Sequence, residues 1–543
     1  MWPNYFKLTL RNFIKNKLHN FIHIAGLSIA LTVCILIYLF IADEFSFDRF
    51  HENKDKIFRM EAKRYSYGKD KSFFDHDQNG VWSISWMPTG LGPTLMEEIP
   101  DIVNFTRWES GNSIFTFKDK VFQENVHYVD PGFFHMFDFK LIQGDPVSVL
   151  QDKYNVIITE DILDKYFEEI DPIGQMIRLN LFGEERTYIV SGIIANPPPT
   201  SSLDFDILIH QENRPYYEEN LTNWQSFNNP TFIQVADQVE LSQLREKLRS
   251  FKDKYFADEI KEAREREMVG EEVPVFELVM KPLTDIHLDP EVPWHKSSDP
   301  KYSFILAGIG MLILLIACIN YISLSLSSSS SRSKEVGIRK VMGARPFNLA
   351  RQFWGESQFL VLLALITGII LAILLMEPFN QFTQRSITLF SHHSIWLIGF
   401  LFLITIIIGL IAGGYPAVYL SRFQPVKVLK SNAATKYNTL MIRSLFVFQY
   451  AMSGFLIISS MIMFYQMRYI TSKDLGYDRE QVLIVPTFTG WSDDGEKVVN
   501  RLDLSLKTVP GVIHVAGTSA SFNKGWSRNS FEISISSKIL HLS

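Results

Sequence analysis

His19 and His23 stand four residues apart, the spacing at which two imidazoles share one helix face and can clasp a metal ion. The residue after His19 is Asn20, so the glutamate that serves as general base in the H-E-x-x-H motif is missing. The pair also sits at the edge of an apolar run and is read as a helix face. Asp75-His76-Asp77 and His392-His393 put ligand-type side chains side by side, in stretches that read as solvated loops. Ser327 to Ser331 is a run of hydroxyls without the Gly-x-Ser-x-Gly turn that activates a serine nucleophile. Small residues at such a place allow close helix packing instead. The sequence has no Gly-x-x-x-x-Gly-Lys-Ser/Thr loop to cradle the phosphates of ATP. The expectation is a non-catalytic chain with no catalytic, cofactor-binding or metal-binding residues and no cofactor.

The segment from Ser333 to Glu356 carries a different kind of chemistry. Ile338, Val341 and Met342 share one helix face, with Arg339 and Lys340 off it; Gly343 breaks the helix and Pro346 can open another at its first turn. Phe347, Ala350 and Trp354 share a face of that second helix. A short apolar patch beside basic residues can dock into a groove on a partner. It can equally rest on anionic lipid, and periodicity alone favours lipid.

Long apolar runs must position this segment. Five are free of Asp, Glu, Lys and Arg, and each approaches or exceeds the roughly 20 residues that cross a bilayer core: 21–42, 304–326, 359–376, 395–420 and 445–467. Their lack of charge argues against an intramembrane proton relay or ion pathway. The first run follows Lys7, Arg11, Lys15 and Lys17 as a signal peptide would. It is too long for a signal core and has no small-residue cleavage site after it, so it reads as a retained anchor. Lys and Arg crowd the connection after the second run (Arg332, Lys334, Arg339, Lys340, Arg345, Arg351) and the one after the fourth (Arg422, Lys427, Lys430, Lys436, Arg443), whereas the third and fourth are joined with a single Arg385. The positive-inside bias then puts the N-terminus in the cytoplasm and residues 43–302 outside.

The 543 residues carry a net charge of −6, which gives no reason to expect nucleic acid as a partner. Cys34 and Cys318 both lie in apolar runs, so the exported part must stand on a packed core without disulfides. That part reads as mixed α/β. A strand at 57–67, a helix ending near Glu98 and a strand at 102–108 have a counterpart in Thr231–Val235, a helix over Leu241–Phe256 (Leu244, Leu248, Phe251, Tyr255) and a strand at 275–280. Two such β-α-β units around a long insert suggest a split ferredoxin-like lobe plus an inserted β-rich lobe. In the insert, Val156–Ile158 leads into Thr159 as N-cap of a helix over 160–167, with strands at 176–181 and 187–194. The fold class is thus an α-helical multi-span membrane protein with a mixed α/β extracytoplasmic domain.

An internal echo follows. The fifth run is preceded by basic residues and followed by Tyr477-Asp478-Arg479 and a strand over Val482–Val485, while Thr508-Val509-Pro510-Gly511-Val512 echoes Glu98-Ile99-Pro100-Asp101-Ile102. Residues 468–543 read as the start of a second exported domain, and the chain as a truncated tandem arrangement. An intact natural mass of 62.7 kDa would overturn that expectation.

Lys334-Glu-Val-Gly-Ile-Arg-Lys-Val-Met-Gly-Ala-Arg345, running on to Glu356, resembles the signature of FtsX-like permeases of the MacB type, membrane subunits of ABC transporters. Gly413-Gly414-Tyr415-Pro416-Ala417 with Phe423-Gln-Pro-Val426 resembles the family's end to the fourth span. Asp130-Pro-Gly-Phe-Phe, Leu141-Ile-Gln-Gly-Asp-Pro146, Ile158-Thr-Glu160, Asp171-Pro-Ile-Gly174 and Pro282-Leu-Thr-Asp-Ile-His-Leu288 resemble the MacB-like periplasmic core domain.

The resemblance implies the following division: a cytoplasmic basic amphipathic segment (1–20), a first span (21–42), a periplasmic core domain (43–302), an FtsX-like domain (303–430) with a coupling loop at 327–356, a linker (431–444), a fifth span (445–467) and the incomplete second domain (468–543). It also implies a permease that couples a separate ABC ATPase subunit to the exported domain, for efflux or envelope export, in the inner membrane. Glu335, Val336, Ile338, Arg339, Val341, Met342, Gly343 and Arg345 would form the coupling loop, with Val336, Ile338, Val341 and Met342 as the apolar contact and Glu335 and Arg339 as polar ones. Gly413, Gly414, Tyr415 and Pro416 would pack the span end. A homodimer or heterodimer of permease chains in the lipid bilayer, and a periplasmic adaptor or envelope protein, complete the implied partners. The alternatives are a membrane-anchored envelope sensor or an inactive truncated permease.

Overall fold

The computed structural model describes residues 17–65, 81–167, 170–265, 274–292, 294, 296–389, 394–414, 439–473, 482–485, 487, 493–518, 531–535 and 538–542. It divides into two compact units. One comprises residues 1–49, 199–202 and 285–473, and the other residues 50–198, 203–284 and 474–543.

The first unit is helical. Among the described residues, four of its helices are long and apolar enough to cross a membrane: Lys17–Glu44, Pro300–Leu326 as the apolar part of a longer helix, Pro346–Thr383, and Arg443–Ser472. The fourth apolar run forms the helix Ser394–Ile408 and a π-helical turn, Gly409–Gly413, and from Tyr415 onward it lies outside the described residues. The first helix packs Leu27, Leu31 and Cys34 against Cys318, Ile322, Val361 and Ile404. Oily side chains cannot by themselves pull helices together in lipid, so close approach and interhelical hydrogen bonds matter more. Ala364, Gly368 and Ala372 supply the close approach, every fourth residue along the third span and all buried. Against them Ser28 donates to the Ala364 carbonyl at 3.1 Å, and Thr32 to the Gly368 carbonyl at 3.0 Å. A Cβ on Gly368 would come within 3.1 Å of the Ser28 carbonyl oxygen.

The second span differs from expectation. It does not stop at Leu326 but continues as one helix, Pro300–Val341, through the serine run. At 1.5 Å per residue that helix is roughly 60 Å long, twice a bilayer core. Serine is an ordinary helix former, and nothing after Pro300 in this stretch removes a backbone donor. The third span likewise starts at Pro346, well before its apolar core, and runs to Thr383. The expected loop at 327–356 is therefore two helix ends joined by a turn.

Besides an antiparallel pair of short strands, Phe531–Ile535 and Lys538–Leu542, the second unit is built on one sheet. Its strands are β1 (Ile57–Tyr65), β2 (Val81–Ile84), β3 (Trp86–Pro88), β4 (Ile102–Phe117), β5 (Lys120–Val129), β6 (Leu141–Gln143), β7 (Asn155–Thr159), β8 (Met176–Leu181), β9 (Glu184–Ile194), β10 (Ile207–His210), β11 (Phe227–Val235) and β12 (Phe276–Pro282). The main order is β12-β1-β11-β4-β5-β10-β7-β9-β6. The helices Leu91–Glu98 and Leu241–Tyr255 cover β1, β11 and β12, burying Leu91, Leu95, Leu244, Leu248 and Phe251 beside Met60 and Ile233. A second core gathers Phe115, Val126, Tyr128, Val156, Ile158, Tyr166 and Tyr188.

The long strand β4 joins the two cores. Its first half pairs with β11 up to Arg107, and from Trp108 onward it pairs with β5. At that crossing Arg107 grips Asp130 with Nε at 2.9 Å and Nη2 at 2.5 Å, both side chains buried. The backbone N–H of Arg107 adds a third bond to the same carboxylate. Asp130 opens the Asp130-Pro-Gly-Phe-Phe motif, whose role here is to fix the strand crossing. Thr159 does hold the N-cap position of the helix Glu160–Tyr166, but its hydroxyl makes no capping bond. Asn196 Oδ1 accepts the Asp161 N–H in its place.

Past the fifth span, Asp493–Leu506 is a helix ending in a turn at Pro510-Gly511, as Leu91–Glu98 ends ahead of Pro100. The expected strand at Val482–Val485 is not formed; the four residues are exposed, with no strand beside them among the described residues. Tyr477, Asp478 and Arg479 lie outside the described residues.

Candidate coupling site

The turn between the helices Pro300–Val341 and Pro346–Thr383 is closed by its own backbone. Gly343 sits at φ +91°, the left-handed region that suits glycine. Its N–H bonds the Lys340 carbonyl, and the Ala344 N–H bonds the Arg339 carbonyl, each at 3.0 Å. That is the Schellman pairing, which satisfies the last carbonyls of a helix and stops it at a defined place. Pro346 then starts the next helix, so the glycine and proline read from the sequence set the geometry.

Side chains sort sharply around this turn. Val336 is 1% exposed and packs on Leu349 and Phe353, with Ala344 and Trp354 alongside. Placed with the outward apolar contacts from sequence, it is instead the pin between the two helices, because it faces the second helix where Ile338 faces away. Ile338 is 53% exposed, Val341 66%, Met342 82% and Phe347 74%. Arg345 is exposed beside them. The structure does not describe the Glu335 side chain.

Arg339 points along the helices. Its Nη1 donates to Gln352 Oε1 at 2.8 Å, and Gln352 Nε2 donates to Glu356 Oε1 at 3.2 Å. Glu356 is itself buried. This relay from the turn into the third span was not read from the sequence, although Arg339, Gln352 and Glu356 lie one above the other once the two helices are antiparallel.

The span-end glycines divide. A Cβ on Gly413 would come within 2.5 Å of Ser357 Cβ, and one on Gly409 would overlap Gln358. A Cβ on Gly414 would meet nothing within 4 Å among the described residues. The π-helical turn shifts the phase of the helix there, bringing Gly409 and Gly413 to the third span; Gly409 was missed for that reason. Tyr415 and Pro416 lie outside the described residues. At the other site read for metal spacing, His23 is buried with its ring 4.3 Å from that of Tyr321 and tilted 48° to it, while His19 is exposed. Asp75, His76, Asp77, His392 and His393 lie outside the described residues.

Comparison with known proteins matches two family models to this chain: the MacB-like periplasmic core domain over residues 21–251 and the FtsX-like permease C-terminal domain over residues 307–425. The macrolide export ATP-binding/permease protein MacB of Bdellovibrio bacteriovorus is 24% identical over 62% of this chain and 48% of that protein. The MacB of Pasteurella multocida is 32% identical over 23% of this chain and 19% of its own length. The chain thus spans about half the length of the first relative and a fifth of the other. Among solved structures, a domain of a permease protein from Porphyromonas gingivalis aligns with 47% of this chain and 98% of its own, at 21% identity and a TM-score of 0.34.

Proposed function

Because this chain is an FtsX-like ABC transporter permease of the MacB type, with a MacB-like periplasmic core domain, we propose that it couples ATP hydrolysis in a separate ATPase subunit to motion of that domain. It is a membrane protein with an extracytoplasmic domain. We place it in the inner membrane with the turn at 342–345 in the cytoplasm, on the charge asymmetry between the connections: basic residues crowd this turn, and the connection between the third and fourth spans holds Arg385 alone. Efflux or envelope export is the process this arrangement serves. A pair of permease chains facing an ATPase pair is the assembly we expect.

The observation that carries the reading is the turn itself. Ile338, Val341, Met342 and Phe347 are four large apolar side chains held outward around a capped turn. Exposed apolar clusters rimmed by charge mark protein-docking sites. Lys340, Arg345 and Arg351 provide the rim. The Arg339–Gln352–Glu356 relay ties the turn to the third span, so a push on the patch is passed to the helices. We assign contact to the four apolar residues, positioning to Val336 and Arg339, and the turn to Gly343. In the exported domain, the order β12-β1-β11-β4 with two covering helices supports the split ferredoxin-like lobe, and the strands from β5 to β10 the inserted lobe.

The experiment is purification of the tagged chain from native membranes, with ATPase activity assayed in the eluate. Co-purifying ATPase that is lost in Met342→Glu and retained in Lys301→Glu, at the far end of the same helix, supports the reading. Equal ATPase in all three, or none with the parent chain, would overturn it in favour of an envelope sensor without transport.

A further inference from the structure

The Pro282–Leu288 motif takes no part in the coupling turn. It delivers His287 to the far end of the same helices, where Glu44 closes the first span helix and is 1% exposed. Two groups converge on this carboxylate from distant parts of the chain. Arg385, in the connection between the third and fourth spans, donates Nη2 to Oε1. His287 Nε2 lies 3.3 Å from Oε2. Phe47 stacks on the imidazole with ring centroids 3.4 Å apart and planes 6° from parallel, and the Arg385 guanidinium lies 5.1 Å from the same Phe47 ring.

A second set of bonds surrounds this group. Asp48, fully buried, accepts the Ser202 N–H at 2.8 Å, and its own N–H bonds the Thr200 carbonyl. Trp294 Nε1 donates to the Ser202 carbonyl at 2.7 Å, and the Ser298 N–H to the His287 carbonyl at 2.7 Å. The helical unit includes the chain up to Arg49, the short stretch Pro199–Ser202 and the chain from Asp285 onward. All three passages are therefore bonded into one buried polar group, and Arg385 attaches that group to the third and fourth spans.

We infer that Glu44, Arg385 and His287 form a transmission joint, positioning residues through which movement of the third and fourth spans is passed to the segments entering and leaving the exported domain. The inference rests on the coupling reading above and adds the far end of the path. A carboxylate removed from water is held strongly by the Arg385 guanidinium, with the His287 ring set against its other oxygen, because little solvent competes for it. The joint therefore moves as a piece: a shift of Arg385 draws Glu44, and with it residues 45–49, along.

The test is hydrogen exchange on the full chain with its co-purified ATPase in lipid nanodiscs, with and without ATP. In the parent, ATP changes exchange both in residues 336–353 and in β12, which precedes His287. Arg385→Gln is expected to keep the first response and lose the second, and Arg385→Lys to recover part of the second. Should Arg385→Gln fail to fold, the neutral pair Glu44→Gln with Arg385→Met removes both charges and is read in the same way. An ATP response in β12 that persists in the neutralised variants overturns the joint, whatever their exchange without ATP. A parent whose residues 336–353 do not respond to ATP instead sinks the coupling reading, and the joint with it.

Discussion

The two ends of the long span helices are built on opposite principles. At 342–345 the turn is held by backbone bonds and turns large apolar side chains outward. At Glu44 the contacts are between charged and aromatic side chains, and they are turned inward. An end that meets another protein must leave its adhesive surface free and keep its shape without it. An end that joins parts of one chain can bury its adhesive groups for good. Truncation should therefore cost stability at the Glu44 end and association at the other.

The largest effect is expected for Glu44→Ala. Removing one member of a buried pair strands the remaining charge, which costs about 3–5 kcal/mol. The partial exposure of Arg385 puts this case at the lower end of that range. Cys34 and Cys318, both buried in the span packing, report the loss directly. A thiol-reactive dye should label them at a clearly lower temperature in the variant than in the parent. An unchanged labelling temperature would break the contrast between the two ends.

Next comes the pH dependence of Asp48. Burial pushes its carboxyl up to about 6, against the opposing pull of the Ser202 bonds and of His287 and Lys296. The folded form thus prefers the protonated acid. That contribution is complete below the unfolded value near 3.8 and is lost as pH rises through about 6. Asp48→Asn keeps the hydrogen bond from Ser202 and suits the positive φ of 56°. It should stabilise the helical unit at pH 8 by on the order of 2 kcal/mol and have no effect near pH 4, by the same dye assay. His51, in the sheet unit, has the opposite sign. Burial pushes it down to about 4, with Asp138 opposing, and its Nδ1 already accepts the Asp138 N–H. Its contribution is present above about 6.5 and is lost as pH falls through 4.

Gly413→Ala follows. The new methyl would meet Ser357 Cβ at 2.5 Å, closer than two carbons can sit, so the fourth span must shift from the third. Overpacking of this kind costs about 1–3 kcal/mol. Gly414→Ala, one position on, meets nothing among the described residues and should be neutral. Equal effects of the two substitutions on dye labelling would contradict the π-helical phase described here.

What could be read from the sequence follows the range over which each interaction acts. Leu244, Leu248 and Phe251 repeat along one helix, and Gly343 with Pro346 punctuates one turn, so both were legible. The four-residue strand β10 and the three-residue β6 have no room to show a period, and β4 continues through a crossing fixed by Asp130, just past the end of β5. Val336 was placed on the wrong side because its partners, Leu349 and Phe353, lie beyond a turn whose direction only the folded backbone sets. The joint was wholly invisible: Arg385 lies 341 positions from Glu44, and nothing local to either residue signals the other.

The smallest effect on stability belongs to the coupling turn, and it sharpens the comparison most. Met342→Ser replaces a side chain that is mostly in water and touches none of the buried cores. Surface changes of this sort stay within about 0.5 kcal/mol, so dye labelling of Cys34 and Cys318 should coincide with that of the parent. Association is another matter, because a partner that covers Met342 loses the transfer of an apolar side chain, about 1.5–3 kcal/mol, or roughly ten- to a hundredfold in affinity. Glu44→Ala should do the reverse, lowering the labelling temperature while leaving the bare turn, and thus ATPase capture below that temperature, intact. Measuring both variants in both assays gives a two-by-two test. If Met342→Ser lowered the labelling temperature as well, the turn would be part of the fold's own packing and its exposed apolar face would need another explanation.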